Sequence, residues 1–327
     1  MLTDRFHRVV NYLRLSVTDR CNLRCRYCAP SAPTRLDRKQ LLSLEEMGRL
    51  VRIGMGLGIT KVRLTGGEPL VRRDISVLVE ELCRDGRLKD ISITTNGTLL
   101  NKYGRALKAA GLTRLNISLD TLSAQKFHHL TKMDLFSTVW DGIMNALALG
   151  FAPIKINTVV MNGYNDDEIA ALARLALDYP FSMRFIEYMP IGIDPGQNQG
   201  YFLPVSEVKK IIETQVGELT PVDHEDRDGP AQRYRLKGGL GEIGLIGSMS
   251  AHFCGTCNRI RLTAAGHLRP CLLSDIQVNI AEPLRNGASD EELAAIFLEV
   301  ARMKKQEHQL TFNCTQALDS QMVSIGG

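Results

Sequence analysis

The chain has 327 residues, 44% hydrophobic and 23% charged, enough apolar material for one large domain with an appendage or for two domains. With 40 Lys and Arg against 36 Asp and Glu, a net charge of +4 gives no footing for a nucleic-acid binder, so an anionic ligand has to be met by locally grouped cations. No run approaches the roughly 18 apolar residues of a membrane span, and residues 1–8 carry no signal-peptide core. The expected compartment is therefore the cytosol, with no membrane and no nucleic acid as partner.

In chain order, strand-like runs at 12–18, 61–65, 91–96, 114–120, 154–160 and 183–188 are separated by helix-like stretches, among them 44–57, 74–85, 101–110, 137–149 and 166–178. Strands alternating with helices over short connections predict parallel βα units. Six such units form about three quarters of an eight-fold barrel. The predicted fold class is thus α/β, an incomplete (β/α)6 TIM-like barrel over residues 1–200. Beyond that point the rhythm stops. A helix-like run at 205–214, a Gly-rich strand-like region at 232–247 and helical stretches at 276–284 and 289–306 predict a smaller C-terminal region over 201–327.

The barrel strands alternate in polarity. Leu13, Leu15 and Val17 interleave with Arg14, Ser16 and Thr18; Val62 and Leu64 with Arg63 and Thr65; Ile91 and Ile93 with Ser92, Thr94 and Asn96. Leu115, Ile117 and Leu119 interleave with Asn116, Ser118 and Asp120, and Ile154 and Ile156 with Lys155 and Asn157. Successive side chains point to opposite faces, so each strand has one greasy face for the helices and one polar face for the lumen. A one-sided antiparallel sheet would explain the alternation too, but not a helix after nearly every strand. Arginines and a lysine facing inward imply an anionic ligand in an open lumen, because an unpaired buried charge costs several kcal/mol, on the order of its desolvation penalty.

The 8 cysteines of a cytosolic chain read as metal ligands or free thiols, and 6 fall into two groups. Cys83 and Cys314 stand alone and read as small buried side chains. Cys21, Cys25 and Cys28 follow the first strand, on the end of the barrel where active sites form. Three thiolates there hold an iron–sulfur cluster with one iron left open, since such clusters are normally held by four cysteines. No histidine is near enough to complete a Cys₃His zinc site. Cys254, Cys257 and Cys271 supply three more thiols. Here His252 and His267 are close in sequence, and spacing alone leaves zinc and iron–sulfur equally open. Arg259, Arg261 and Arg269 crowd these ligands. Guanidinium forks suit phosphate, although a solvated hairpin carrying arginines would look the same.

The Cys-x₃-Cys-x₂-Cys triplet with Tyr27 before its last cysteine, and Gly66-Gly67-Glu68-Pro69 directly after the second strand, resemble the radical S-adenosylmethionine superfamily. The runs 13–22, 63–69, 94–97, 116–120 and 254–261, with the terminal Gly326-Gly327, resemble more narrowly the GTP 3′,8-cyclase family of molybdenum-cofactor (molybdopterin) biosynthesis. The likeness spans essentially the whole chain. It implies two [4Fe–4S] clusters, with S-adenosylmethionine chelating the open iron of the first and the guanine of GTP meeting the open iron of the second. It further implies a 5′-deoxyadenosyl radical that takes the ribose 3′ hydrogen, after which the carbon radical attacks guanine C8. Carried over position by position, Tyr27, Gly67, Ser118 and Met189 match S-adenosylmethionine contacts. Arg14, Arg63, Thr94, Lys155, Arg259 and Arg261 match GTP contacts, with Ile260 contributing backbone. Implied partners are a downstream cyclic pyranopterin monophosphate synthase and an electron donor such as flavodoxin or ferredoxin, with assembly as a homodimer among the expectations.

Two departures stand out. Ala29-Pro30-Ser31 after Cys28 is shorter than the family pattern, which puts the local lid in question, and His7 stands where glycine is common. By resemblance the Gly326-Gly327 tail reaches into the active site, whereas terminal glycines more often form a loose tail. The rival readings are another auxiliary-cluster radical enzyme, such as a peptide maturase, and a zinc-stabilised binding protein without catalysis.

Overall fold

The computed structural model describes residues 1–28, 35–191, 199–223, 229–310 and 322–326. Ala29, Pro30, Ser31, Cys314 and Gly327, on which some of the expectations above rest, lie outside the described residues.

Six parallel strands form the centre: β1 (Tyr12–Ser16), β2 (Lys61–Thr65), β3 (Asp90–Thr95), β4 (Arg114–Ser118), β5 (Ile154–Val160) and β6 (Phe181–Glu187), each hydrogen-bonded to the next. Their connections carry helices α1 (Leu44–Gly56), α2 (Ile75–Arg84), α3 (Leu100–Ala109), α4 (Ala124–Thr131), α5 (Phe136–Ala148) and α6 (Ile169–Asp178). The greasy faces read from alternation are the core. Leu13, Leu15, Val62, Leu64, Ile93, Leu115 and Ile117 are fully buried, with Leu50, Val51, Leu78, Val79, Leu107 and Ile143 of the helices in the same cluster. Ser43 and Glu46 close a capping box that starts α1, satisfying N–H groups left over by the first turn. Cys83, on α2, packs against this core as a free thiol.

The C-terminal region is not simply laid against the barrel; it lengthens the sheet at both edges. After α7 (Val205–Gln215), β7 (Leu219–Pro221), β8 (Gln232–Leu236) and β9 (Glu242–Ile246) continue beyond β6, with β9 parallel to it. At the other edge, β10 (Arg259–Leu262) runs parallel to β1, followed by antiparallel β11 (His267–Arg269) and β12 (Val278–Asn279). The 12-stranded sheet therefore has eight parallel strands at its centre, two of them supplied by residues beyond 200.

Two expectations need correction, and one helix adds to them. The stretch 276–284 is not one helix: Val278 and Asn279 pair with β11, and only α8 (Ala281–Arg285) is helical, because strand pairing captures the backbone first. The helix expected over 289–306 ends sooner, as α9 (Asp290–Arg302), started by a Ser289–Glu292 capping box. Helix α4 was missed; Ser123 caps it by accepting from the Lys126 N–H. His7 has φ 63°, a left-handed conformation that favours glycine, which accounts for the residue type common at that position.

Candidate active site

The register of the ladders sets the lumen. Arg261 on β10 is the direct partner of Arg14 on β1, Arg14 of Arg63 on β2, and Arg63 of Ser92 on β3. One step toward the N-terminal ends, Arg259, Tyr12 and Lys61 form a second row. Thr94, Asn116 and Lys155 form another across β3, β4 and β5. Arg14, Arg63, Thr94, Lys155, Arg259 and Arg261 thus share the inward face. Ile260, between two of them, is fully buried on the opposite face, so only its backbone is available to a ligand.

These like charges are close, with Arg261 buried and Arg14, Arg63 and Arg259 half-buried. Burial pulls the Arg14 guanidinium down to about 10, with Arg63 and Arg259 adding to the pull and Tyr12 opposing it. Burial, then Arg14 and Arg259, holds Arg261 well below its ordinary value. Arg259 is instead raised: burial works against it, but Cys257, Tyr12 and Cys271 together outweigh burial. Lys61 Nζ and Arg63 Cζ lie 4.8 and 5.6 Å from the centre of the Tyr12 ring. The Tyr12 hydroxyl, Thr94 Oγ1 and Asn116 Oδ1 are buried with no hydrogen-bond partner. Buried polar atoms left without partners on one shared face are what a polar, anionic ligand would satisfy. Toward the strand N-termini, Lys61 and Arg114 pair with Asp90 at 3.2 and 2.9 Å, and Lys155, Ser182 and Arg184 border a cavity of about 360 Å³.

The two cysteine groups lie at opposite ends of this row. Cys21, Cys25 and Cys28 follow β1, at its C-terminal end. Cys254 and Cys257 precede β10, which runs parallel to β1, and Cys271 follows antiparallel β11, so that triplet sits at the other end. At about 3.3 Å per residue, the strand between them spans roughly 15 Å. In each triplet one sulfur accepts an N–H two residues on, from Leu23 to Cys21 and from Leu273 to Cys271, both at 3.4 Å. Burial pushes Cys28 up to about 12 and raises Cys25 well above its ordinary value, so a bound cation would favour their thiolates. Cys257 goes the other way, to about 6: burial raises it, but Arg259 and Lys304 overcome that. Two sets of three half-buried free thiols, each one short of the four that normally hold a cluster, fit iron–sulfur clusters with an open iron. His252 lies beside Cys254, but His267 on β11 does not join it among the described residues.

Around the first triplet the loops at the strand C-termini interlock. The Gly67 N–H donates to the Thr18 carbonyl and the Glu68 N–H to that of Arg20, both at 2.7 Å. A Cβ on Gly67 would overlap the Arg20 backbone, so glycine is what lets these loops meet. Glu68 accepts from Thr95 Oγ1, the Asn96 N–H and the Leu70 N–H. Tyr27 donates to Asp120 at 2.8 Å, Ser118 ends β4, and Met189 follows β6, so Tyr27, Gly67, Ser118 and Met189 come together at this one end of the sheet. Gly326 also arrives there. Its carbonyl accepts from Arg261, and a Cβ on it would meet Thr65 Oγ1 and Ser16 Cβ.

Five residues of the site had no role assigned from sequence, although Asn96 and Asp120 belong to the polar strand faces that alternation predicts. Tyr12 and Lys61 lie two positions before Arg14 and Arg63, so strand parity alone would have found them. Asn96 (3.8 Å from Cys21 Sγ) and Asp120 stand at or just beyond strand ends, where side chains meet the first triplet. Glu187, at the end of β6, had no local signal.

Among the described residues, no helix is long and apolar enough to cross a membrane. Residues 15–176 match the Radical SAM superfamily, and residues 181–310 match Molybdenum Cofactor Synthesis C. The GTP 3′,8-cyclase of Moorella thermoacetica is 47% identical over 327 residues, covering 100% of both chains. That of Syntrophomonas wolfei subsp. wolfei is 46% identical with the same coverage. Among solved structures, Streptococcus suis SuiB bound to S-adenosylmethionine superposes with a TM-score of 0.59 at 15% identity, covering 93% of this chain and 77% of that one. That likeness speaks to the fold alone. On full-length identity and both family matches, the chain belongs to the GTP 3′,8-cyclase family of the radical S-adenosylmethionine superfamily.

Proposed function

We propose that the chain cyclises GTP to (8S)-3′,8-cyclo-7,8-dihydroguanosine 5′-triphosphate, the first step of molybdenum-cofactor biosynthesis, with S-adenosylmethionine as co-substrate. The observation that carries this reading is the file Arg261–Arg14–Arg63, three adjacent cations on an inward face between two cysteine triplets. A triphosphate converts their mutual repulsion into charge-assisted hydrogen bonds and holds the ribose in place for reaction.

Cys21, Cys25 and Cys28 would hold one [4Fe–4S] cluster and Cys254, Cys257 and Cys271 the other, and the first would supply the electron for reductive cleavage of S-adenosylmethionine. Tyr27, Gly67, Ser118 and Met189 are assigned to S-adenosylmethionine. Of these, Tyr27 is oriented by Asp120, and Gly67 keeps its loop against residues 18–20. Arg14, Arg63, Thr94, Lys155, Arg259, Arg261 and the Ile260 backbone are assigned to GTP, with the unpartnered Thr94 hydroxyl free to donate to it. Residues 1–200 would then carry the radical chemistry, and 201–327 the second cluster and part of the nucleotide site. The wider assignment is a cytosolic enzyme, reduced by a flavodoxin- or ferredoxin-like donor, working as a homodimer and passing its product to cyclic pyranopterin monophosphate synthase.

A peptide maturase shares this fold, but a peptide gives no reason for a file of adjacent guanidiniums. Anaerobically purified protein should contain iron and acid-labile sulfide for two clusters, and zinc without iron would end this reading. It should consume S-adenosylmethionine only with GTP present, moving deuterium from the ribose 3′ position into deoxyadenosine. Cys21→Ala should abolish S-adenosylmethionine cleavage, while Cys271→Ala should chiefly damage GTP binding or turnover. Equal cyclisation by both variants would refute the two-cluster assignment.

A further inference from the structure

Among the described residues, one set of His, Cys, Asp and Glu ligand atoms converges. A ring nitrogen of His252, one of His308 and the Cys254 sulfur all lie within 4.8 Å of one another. The two rings stack with centroids 4.2 Å apart and planes 27° from parallel. His252 Nε2 is 2.8 Å from the Met249 carbonyl oxygen, and His308 Nε2 is 3.1 Å from that of Ser248. A carbonyl can only accept, so both rings carry their proton on Nε2 and keep the Nδ1 lone pair free. His308 Nδ1 is buried and, with the Leu310 backbone close to the ring, makes no hydrogen bond of good geometry among the described residues. An imidazole anchored through one N–H on a backbone carbonyl, with its other nitrogen bare, is arranged like a metal-bound histidine. The His308 backbone N–H donates to the Cys254 sulfur, tying the two segments together.

The frame around these three residues is held from both sides. Arg8 donates to the carbonyls of Cys254, Lys305 and Gln306 at 2.6, 2.6 and 2.9 Å, clamping the segment that bears His308 to the one that bears Cys254. Glu187 accepts from the N–H groups of Met249 and Ser250, just before His252. The Cys257 sulfur lies 3.7 Å from Lys304 Nζ.

We propose that His252, Cys254 and His308 form a site for one borderline divalent cation, zinc foremost, filled when the second cluster is absent and excluded once that cluster is assembled. Two imidazoles and a thiolate, with water in a fourth position, are a tetrahedral zinc donor set. Zinc bonds of about 2.0–2.3 Å bring such donors within about 4 Å of one another, a small contraction of the present triad. Binding releases the Cys254 thiol proton to solvent and involves no change of oxidation state. Exclusion follows because ion and cluster need the same thiolate. That half of the inference rests on Cys254 being a cluster ligand. The cation would protect the thiol in the unloaded chain and would have to leave before iron enters.

The test uses the full-length, cluster-free chain under anaerobic, reducing conditions, titrated with Co²⁺ and then Zn²⁺. One equivalent of cobalt should give a thiolate-to-cobalt charge-transfer band and intense tetrahedral d–d bands, both erased by zinc. His252→Ala and His308→Ala should each weaken binding about tenfold or more. Cys254→Ser should lose the charge-transfer band, and Cys257→Ala and Cys271→Ala should keep it. Iron taken up by the first triplet reports that each variant is folded. Absence of the band in the unsubstituted chain overturns the site. So does its loss in the Cys257 and Cys271 variants with retention in the histidine variants. Prebound zinc should slow iron loading of the second triplet, and His308→Ala should relieve that delay; equal loading rates overturn the exclusion. An unsubstituted, zinc-free chain that takes no iron at the second triplet overturns the cluster reading and with it the exclusion, while the cobalt titration judges the cation site separately.

Discussion

Arg14 and Arg261 are direct partners across the parallel β1–β10 ladder, two guanidiniums side by side on the inward face, with Arg261 only 3% exposed. Burial, with Arg63 and Arg259, depresses Arg14 to about 10, and burial, with Arg14 and Arg259, lowers Arg261, so this cluster of cations favours a bound polyanion over the empty site. Arg14→Met should therefore leave the ligand-free protein as stable as before, or more so. It should also weaken GTP binding by about 10- to 100-fold, the loss of a charge-assisted hydrogen bond worth roughly 1.5–3 kcal/mol. Thermal unfolding with and without GTP reads both effects. Undiminished stabilisation by GTP would remove this arginine from the phosphate site.

Glu187 fastens the barrel to the second cysteine group. Its buried carboxylate accepts from the N–H groups of Val205, Met249 and Ser250 and from the Ser250 hydroxyl. Glutamine keeps one acceptor but turns an NH₂ toward backbone donors. We expect Glu187→Gln to cost about 3 kcal/mol, the order of two charge-assisted bonds. Iron at the second triplet should fall while the first keeps its load, as read by Mössbauer spectroscopy. An equal loss at both triplets would mean general unfolding instead.

Gly326 has φ 71°, and its carbonyl caps Arg261. Alanine there is strained and meets Thr65 and Ser16. Gly326→Ala should release the tail: amide exchange across 322–326 should quicken by about tenfold, for a local cost on the order of 1 kcal/mol, and turnover should fall. Unaltered exchange would show that the tail is held elsewhere.

Glu68 sets a pH dependence. Burial raises its carboxyl from an ordinary 4.5 to about 7, against the three hydrogen bonds it accepts. Between those values the folded chain holds a proton that the unfolded chain has lost. This contribution to stability is complete below about pH 4.5 and disappears as pH rises through about 7. Across that window Glu68→Gln should flatten the decline, by on the order of 3 kcal/mol relative to the unsubstituted chain. Denaturant unfolding of cluster-free protein at several pH values measures this, and parallel profiles would contradict it.

The barrel strands were legible because their two faces obey opposite demands. Leu13, Leu15, Val62 and Leu64 must meet helices, while Arg14 and Arg63 face the lumen, and period-two alternation writes both into a five-residue run. The first cysteine triplet was legible because its ligands are local. Helix α4 was not: Ala124–Thr131 is short, and its placement depends on Ser123 and on packing against α5. The helix expected near 276 gave way to β12, since local helical tendency cannot report a partner strand ten residues upstream.

By itself the sequence determined the inward polarity of β1 to β5, the two thiol triplets and the cations that a nucleotide triphosphate would need, all properties of residue type and short spacing. Only the tertiary structure decided that β10 lies parallel to β1, which sets Arg261 against Arg14 and the triplets at opposite ends of one strand-length. It likewise brought His308 to His252 and Gly326 to Thr65. The reason is physical: pairing between segments far apart in the chain is chosen by which buried faces and backbone donors are left to satisfy after the local elements form, and no short window of residues contains that information.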